Sequence, residues 1–344
     1  MADRDLSFAS FNLLNLQLPG EPWRGHSYTP AQYQEKLAWS AAAIQTLDAD
    51  VIAFQELWSK RCLLELFDLA GLGEYKLFFI DDRWYDIAVA AAVRRPWSVR
   101  ALQVHKAFPA ECALRKRRRA PVPTAAGFEA EDDEVELKID RFSRAVLQLD
   151  LHHESDLTPD VRVFAAHLKS KLATRLDAEE YDQEPIRVHA PALGTALSTI
   201  RRTAEAAALR VLLTNSTRGT ATPVACIGDL NDGIESNTLA ILTGEPSMRL
   251  NAKSRMGLRS DAGLYSAARL QQLHSFRDVY YSHNYSGILE TLDHILVSEQ
   301  FYDHSKQRIW SLDRLRMWND HLDGKSRACS DHGLVAAYFS YHPA

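Results

Sequence analysis

Short apolar segments that each end in polar side chains recur along this chain, and they constrain the fold more than any other feature. The clearest example is Val-Ala-Cys-Ile-Gly-Asp-Leu-Asn-Asp-Gly at 224–233, where Val224 to Ile227 predicts a buried strand. Asp229 and Asn231 follow at its carboxyl end. Because residues two apart in an extended chain point the same way, we expect this carboxylate and this amide to project together. The alternative is an ordinary turn, since turns favour Asp, Asn and Gly.

Three more predicted strands end in the same way: Leu6–Leu13 with Asn12, Asp50–Phe54 with Glu56, and Val161–Ala166 with His167. A carboxylate directly after a buried strand is costly unless a cation pairs with it, so Glu56 implies a metal or a basic partner. Taken alone, each of these residues also fits a turn or a helix cap. Their repetition at strand ends weakens that interpretation.

Two Asp-His pairs lie in the carboxyl-terminal part of the chain. Asp293 and His294 interrupt the apolar strand predicted at Ile288–Val297. Asp331 and His332 come just before the last predicted strand. Buried Asp and His side chains need polar partners, and each other or a facing group are the natural ones.

The combined side chains are rich in oxygen and imidazole ligands, which favours Mg²⁺ or Mn²⁺ over a structural Zn²⁺. The chain has no G-x-x-x-x-G-K-[ST] loop, no G-x-G-x-x-G turn and no G-x-S-x-G elbow. Nucleotide-driven transfer, dinucleotide redox chemistry and α/β-hydrolase esterolysis therefore lose support. Metal-assisted hydrolysis is the chemistry that remains.

Charge is concentrated in one segment, although the net charge of -5 is mild. Five cations at Arg115–Arg119 precede an acidic block at Glu129–Glu136. This pattern predicts a solvated, charged loop inserted around 109–134. The alternative is a loop that grips phosphate, because adjacent cations attract a polyanion.

The four cysteines show no CxxC spacing, and Cys226 lies within a predicted strand. This favours reduced thiols and a cytoplasmic location. No signal-like start and no membrane-spanning apolar run are evident, and we expect a monomer. The remaining elements include a helix that starts at Thr29-Pro30, a strand near Leu273–Phe276, and a long helix from about Ile186 to Asn215, continuous or broken at Gly194.

Six motifs in chain order resemble those of the endonuclease/exonuclease/phosphatase superfamily, which includes exonuclease III-like and DNase I-like nucleases, inositol-phosphate phosphatases and sphingomyelinases. They are Phe-Asn-Leu-Leu-Asn-Leu (11–16), Phe-Gln-Glu-Leu (54–57), His-Leu-Lys-Ser (167–170), Gly-Asp-Leu-Asn-Asp (228–232), Leu-Asp-His-Ile-Leu (292–296) and Ser-Asp-His (330–332). The resemblance implies an α/β fold with one catalytic domain over 1–344. In that fold, two facing mixed sheets with outer helices form a four-layer αββα sandwich, and loops from both sheets meet at one end.

The resemblance also implies roles for individual residues. Glu56 would be the main carboxylate ligand of Mg²⁺ or Mn²⁺, with Asp331 and Asn12 near the same cation. Asp229 would orient or deprotonate the attacking water, and His167 would assist the leaving group. His332, paired with Asp293, would stabilise charge on the phosphoryl group. The phosphate would be bound by Asn12, Asn231, Arg144 and Lys169. Leu14 stands where some nucleases carry an Asp, so one or two metals remain possible.

These features predict a metal-dependent phosphodiesterase that acts on nucleic acid by in-line attack of an activated water. The basic run at Arg115–Arg119 is the main reason to favour an extended polyanion. The alternatives are a phosphatase or phosphodiesterase for a small or lipid phosphate, and a non-catalytic phosphate-binding module. No apolar hairpin is evident in the sequence, which disfavours lipids. The module is disfavoured because Glu56, Asp229, Asp331 and His332 are all present.

Overall fold

The computed structural model describes residues 4–80, 88–117, 123–124, 127–128, 134–246, 262–275, 281–323, 326 and 328–342. In these residues the chain forms two six-stranded mixed sheets with helices on their outer sides. The α/β fold expected from the sequence, an αββα sandwich, is therefore confirmed.

The first sheet combines the two ends of the chain. Its central strand, β1 (Leu6–Leu16), runs parallel to β2 (Val51–Leu57) and antiparallel to β18 (Leu334–Tyr341). The sheet continues on one side with β17 (Trp310–Trp318) and on the other with β4 (Ala88–Arg94) and β3 (Tyr75–Phe79). Because β1 and β2 are parallel, their carboxyl ends reach the same edge of the sheet.

The second sheet also has a pair of parallel strands at its centre. Its strands β11 (Val161–His167) and β12 (Val224–Asp229) are parallel, and β16 (Asp293–Val297) is antiparallel to β12. The sheet is completed by β13 (Tyr265–Ser266) on one side and by β10 (Arg141–His153) and β5 (Trp97–Ala107) on the other. His167 and Asp229 therefore end neighbouring parallel strands.

The two sheets pack face to face through one apolar layer. Phe8 and Val51 of the first sheet share this layer with Val163 and Ile227 of the second, and all four are fully buried. Burying a side chain of this kind stabilises a fold by roughly 1.5–3 kcal/mol. This packing fixes the position of one sheet relative to the other, so that loops of both sheets meet at one edge.

The helices cover the outer faces of the sheets. Those on the first sheet are α1 (Pro30–Leu47) and α2 (Lys60–Leu69), and those on the second are α5 (Ala190–Thr217) and α6 (Asn237–Thr243). The short α3 (Ala178–Tyr181) and α4 (Glu184–Arg187) precede α5, and α7 (Ala267–His274) packs against β16 and β17. In the part of the chain that the structure describes, none of the helices has the length and apolar character needed to cross a membrane.

Two helices, α5 and α7, test predictions made from the sequence. The helix α5 continues through Gly194, where a Cβ would lie 2.3 Å from the carbonyl oxygen of Thr174, so glycine is needed for close packing rather than for a break. The strand predicted near Leu273–Phe276 is wrong for Leu273, which lies in α7; Phe276 is outside the described residues. The buried residues of α7 recur at helical spacing, and this periodicity outweighs the local β propensity.

The charged segment forms a small strand pair where it leaves the second sheet. In β6 (Arg115–Lys116) and β9 (Val135–Glu136), Arg115 lies opposite Glu136, and all four residues are exposed. A second pair joins β7 (Pro123–Thr124) and β8 (Gly127–Phe128). Arg118 and Arg119 of the basic run, and Glu129 at the start of the acidic block, lie outside the described residues.

A further hairpin presents apolar side chains to solvent. Its strands β14 (His283–Tyr285) and β15 (Ile288–Glu290) are joined by Ser286 and Gly287, which both have positive φ. The exposed apolar side chains are those of Tyr285, Ile288 and Leu289. The hairpin corrects the sequence interpretation, in which no apolar hairpin was evident.

Candidate active site

Asp229 is the hub of a buried polar cluster between the two sheets. Its Oδ2 atom accepts a hydrogen bond from Nδ2 of Asn12 at 3.1 Å. The same oxygen lies 3.4 Å from Nε2 of His167 and 3.8 Å from Nε2 of His332. These four side chains are buried and come from four different segments. The structure therefore brings together residues up to 320 positions apart, as the strand-end pattern predicts.

A glycine makes this arrangement possible. Gly228 has φ of 147°, and a Cβ at this position would lie 1.9 Å from the carbonyl oxygen of Ala166. Only glycine allows β12 to approach β11 this closely. In the resulting register Asp229 lies opposite both His167 and Asp293.

His332 is held by a second carboxylate. Its Nδ1 lies 2.8 Å from Oδ2 of Asp293, which also accepts a hydrogen bond from Oγ of Ser282 at 2.8 Å. Burial alone would lower the pKa of His332, but the negative charges of Asp293 and Asp229 outweigh it and raise that pKa well above its ordinary value. The imidazole is therefore cationic at neutral pH.

The other two titrating groups of the cluster are shifted by burial. Burial raises the pKa of Asp229 to about 7, although the positive charge of His332 opposes this shift. Burial also lowers the pKa of His167 well below its ordinary value, and the nearby cation Arg144 adds to the effect. Asp229 can thus exchange a proton near neutral pH, while His167 remains a neutral donor.

Arg144 and Asn231 are fixed by one carbonyl group. Arg144 donates from Nη1 to the carbonyl oxygen of Leu168 at 2.9 Å, and Asn231 donates from Nδ2 to the same oxygen at 3.0 Å. The backbone of Asn231 has φ of 55° and donates to Oδ1 of Asp229. Each side chain has further N–H groups besides the one that bonds Leu168. Lys169 follows on the same loop, and Lys171 forms ion pairs with Glu290 and Asp232.

Glu56 carries a polar atom without a partner. Its Oε2 is buried and forms no hydrogen bond with any described residue, and its backbone has φ of 58°. Burial raises the pKa of Tyr28 to about 12, and the charges of both Glu56 and Asp331 add to this rise. The charges of both carboxylates therefore reach Tyr28. A buried carboxylate oxygen that has no partner among the described residues calls for a cation.

The donor set fits a hard divalent cation. Glu56 and Asp331 supply carboxylate oxygens, and Asn12 supplies an amide oxygen, which already accepts from the backbone N–H of Leu14. Oxygen ligands of this kind suit Mg²⁺ or Mn²⁺. Among the residues that the structure describes, two groups of side chains have ligand atoms within 4.8 Å of one another: His283 with Asp331 and His332, and Asp229 with Asp293 and His332. In the second group His332 and Asp293 already bond each other, while Asp229 lies 3.8 Å from Nε2 of His332, beyond hydrogen-bond distance.

Several residues near the site escaped the sequence interpretation. The rings of His283 and His332 lie 5.0 Å apart, and their backbones form an antiparallel bridge. Lys36 of α1 is buried, and its Nζ has no partner among the described residues; burial lowers its pKa to about 8 against the attraction of Asp331 and Glu56. Arg24 occupies a tight turn, and its charge reaches His167. None of the three adjoins a motif, so only the folded geometry could find them.

His294, the second member of the Asp-His pair in β16, has a different role. Its Nε2 lies 2.9 Å from the carbonyl oxygen of Asp232, and burial lowers its pKa. It thus supports the loop that carries Asn231, while the neighbouring Asp293 faces the cluster.

The chain matches one protein family in sequence and several solved structures in fold. The model of the Endonuclease/Exonuclease/phosphatase family matches residues 9–332. Among solved structures, the mannosyl-6-phosphatase of Bacteroides thetaiotaomicron matches with a TM-score of 0.56 and 14% identity over 98% of this chain and 100% of that one. Humanized D. rerio TDP2 matches with a TM-score of 0.56 and 14% identity over 98% of this chain and 99% of that one. The human Nocturnin catalytic domain with bound sulfate matches with a TM-score of 0.56 and 14% identity over 98% of this chain and 95% of that one. At these identities the likeness establishes the fold. No curated protein matches the chain in sequence.

Proposed function

The chain belongs to the Endonuclease/Exonuclease/phosphatase family, and from this premise and the site geometry we propose that it is a divalent-metal-dependent phosphoester hydrolase. The observation that carries the proposal is the set of contacts around Asp229. Asp229, with a pKa of about 7, lies near an amide, a neutral imidazole and a cationic imidazole, and the charge of Glu56 also reaches it. Oε2 of Glu56 has no partner among the described residues. We further propose that 1–344 acts as one catalytic domain.

The metal would be held by Glu56, Asp331 and Asn12. When bound, a cation of this kind neutralises charge on phosphate oxygens and favours attack at phosphorus. This assignment is supported by Oε2 of Glu56, which has no partner in the described part of the chain, and by the oxygen-rich donor set.

The protein groups supply the proton transfers and the fixed charges. A water oxygen forms a bond to phosphorus while its proton passes to Asp229, whose pKa of about 7 suits a base near neutral pH. The bond between phosphorus and the ester oxygen breaks, and the departing oxygen takes its proton from solvent water. The neutral His167 donates a hydrogen bond to that oxygen and keeps its own proton. His332, kept cationic by Asp293, stabilises the negative charge on the phosphoryl group.

Anion binding falls to groups that are already fixed in place. Arg144 is buried, and both it and Asn231 are anchored on Leu168, so they lose little conformational freedom when phosphate binds. Lys169 lies beside them, and the negative charge of Glu205 counteracts part of the pKa lowering that burial and Arg144 impose on it.

Two substrate classes follow from the sequence: nucleic acid, and small or lipid phosphoesters. The exposed Arg115 and Lys116 support the first class. The mannosyl-6-phosphatase among the similar structures supports a hydrolase of phosphate esters without favouring nucleic acid.

A substrate panel tests the proposal. Plasmid DNA, RNA, bis-p-nitrophenyl phosphate and p-nitrophenyl phosphate are incubated with wild type, Asp229→Asn and His332→Ala, with Mg²⁺ or with chelator. We expect hydrolysis of at least one substrate that requires the metal and falls by about 10²–10⁴-fold in both variants. The control is His274→Ala, which removes a His from another His–Asp contact, at 3.5 Å from Asp303. Equal loss in this control, or hydrolysis that persists in chelator, would overturn the proposal.

A further inference from the structure

The long helix α5 carries a fully buried carboxylate, Glu205. Its Oε1 accepts hydrogen bonds from the backbone N–H and the Oγ of Ser143, at 2.8 and 2.5 Å, and from Nε of Arg201 at 3.1 Å. Its Oε2 accepts from the backbone N–H of Lys169 at 2.8 Å. Four donors, from β10, from the loop after β11 and from α5 itself, therefore converge on this side chain.

One of these donors belongs to the peptide group that anchors two side chains of the candidate site. The N–H of Lys169 and the carbonyl of Leu168 are the two ends of a single planar unit. The carbonyl oxygen accepts from Arg144 at 2.9 Å and from Asn231 at 3.0 Å, while the N–H donates to Glu205. Because the unit is rigid, the direction of its N–H fixes the direction of its carbonyl. Glu205 therefore orients the oxygen on which both side chains are anchored.

The bonds to Ser143 fix the backbone from which Arg144 extends. Ser143 directly precedes Arg144 in β10, and the register between β10 and β5 shifts in this stretch, between Arg141 and Val146. The regular ladder of backbone hydrogen bonds is interrupted at such a shift. Glu205 supplies the acceptor for the N–H of Ser143 there. It thus holds both the start of the Arg144 side chain and the oxygen that its guanidinium bonds.

The charge of Glu205 supports the same role. Burial lowers the pKa of Arg144, and the negative charge of Glu205 opposes this lowering more than that of Glu56 or Asp229 does. Glu205 bonds the backbone beside Arg144, whereas the guanidinium bonds a carbonyl group. An anion that binds Arg144 therefore gains a cation without having to displace this carboxylate.

We propose that Glu205 is a positioning residue for phosphate binding, which acts by setting the directions of Arg144 and Asn231. The proposal rests on the proposed function, because the anion assigned to these two side chains is the phosphate of that reaction. Asp229 and His332 are held by other contacts, with Asn12 and Asp293. Loss of Glu205 should therefore weaken the binding of phosphate and leave the chemical step almost unchanged.

Glu205→Gln tests this role with the smallest change of shape. An amide has one acceptor oxygen, so its NH₂ group must face the N–H of Lys169 or the donors of Ser143, and two donors cannot bond each other. The peptide that anchors Arg144 must then turn. We expect the Kd for inorganic phosphate, measured by calorimetry with Mg²⁺, and the KM of the best substrate in the panel to rise about tenfold, with kcat changed by less than about threefold.

Asp50→Asn is the matched control for the structural cost of losing a buried carboxylate. Asp50 accepts from the backbone N–H and the Oγ of Ser7, at 2.9 and 2.6 Å, and from Nε of Arg94 at 3.1 Å, so its bonds resemble those of Glu205. It directly precedes β2, at the end opposite to Glu56. This control should lower Tm, as Glu205→Gln does, and leave both KM and the phosphate Kd unchanged.

A second variant covers the case in which Glu205→Gln does not fold. Ser143→Ala removes the hydroxyl donor and keeps the backbone N–H, and it should raise KM and the phosphate Kd by about threefold. Unchanged KM and phosphate Kd, or a loss confined to kcat, would overturn the role of Glu205 and leave the hydrolase intact. An equal rise in Asp50→Asn, or no binding of phosphate by wild type, would overturn it as well. A raised phosphate Kd in a protein that hydrolyses no ester would instead refute the proposed function and leave Glu205 as an organiser of anion binding.

Discussion

The buried oxygen of Glu56 leads to a prediction about stability that does not depend on catalysis. Glu56→Gln replaces a carboxylate by a neutral amide of the same size. Because Oε2 of Glu56 is buried and has no partner among the described residues, the metal-free protein bears the cost of an unsatisfied charged group. In chelator, the variant should therefore be more stable than wild type.

The size of this effect follows from the cost of the unpaired group. Removing it should raise the free energy of unfolding by about 1–2 kcal/mol. With roughly 2.1 cal/mol/K of unfolding entropy per residue over 344 residues, 1 kcal/mol corresponds to about 1.4 °C, so we expect Tm to rise by about 1.5–3 °C. In wild type, Mg²⁺ at about 100 times its Kd should add about 2.7 kcal/mol. Most of this gain should be missing in the variant.

Thermal unfolding with chelator and with Mg²⁺ measures both effects. Glu65→Gln is the matched control, because Glu65 accepts hydrogen bonds from Tyr33 and Arg61, both at 2.7 Å. That control should lower Tm and leave the response to Mg²⁺ unchanged. A lower Tm for Glu56→Gln in chelator would contradict the cost assigned to the unsatisfied carboxylate. A full Mg²⁺ response in that variant would show that Glu56 is not a metal ligand.

Two further predictions concern the cluster itself. Asp293→Asn should lower kcat by about 10³–10⁴-fold, because His332 loses the carboxylate that fixes its tautomer. It should also lower Tm, because the buried His332 loses the negative charge that favours its cationic form. Steady-state kinetics on a substrate from the panel, at a temperature where the variant is folded, measures the loss of kcat, and a loss below about tenfold would contradict the prediction. Gly228→Ala should destabilise the fold by about 3 kcal/mol or more, because its Cβ meets the oxygen of Ala166 at 1.9 Å. Gly219→Ala, with φ of 71° and open space, isolates the backbone cost of about 1 kcal/mol in the same unfolding assay, and equal losses would refute the steric argument.

The sequence predicted the parts of the fold in which pattern and chemistry agree. The strands that lead to Glu56, His167 and Asp229 are short, apolar and almost entirely buried, so each is marked by a short apolar run that ends in polar residues. Glu56, His167 and Asp229 are also part of the motifs that identify the family. Strand ends that share one edge explain why Asn12, His167, Asp229, Asp293 and His332 cluster.

Other elements could not be found in this way. The strand β5 (Trp97–Ala107) exposes most of its residues at the edge of its sheet, and β17 (Trp310–Trp318) is also an edge strand that carries Arg314 and Arg316, so neither shows an apolar run. His283 meets His332 only through tertiary pairing across 49 positions. Contacts of this kind are set by packing and leave no local signal in the sequence.

The hydrogen bond between Asn12 and Asp229 joins a strand of one sheet to a strand of the other. Each sheet supplies only some of the residues of the candidate active site, so neither sheet could catalyse the reaction alone. Recovery of activity during refolding should therefore report the final assembly of the two halves, later than the return of secondary structure. Chain cleavage that lets the halves separate would abolish turnover even if every helix and strand survived.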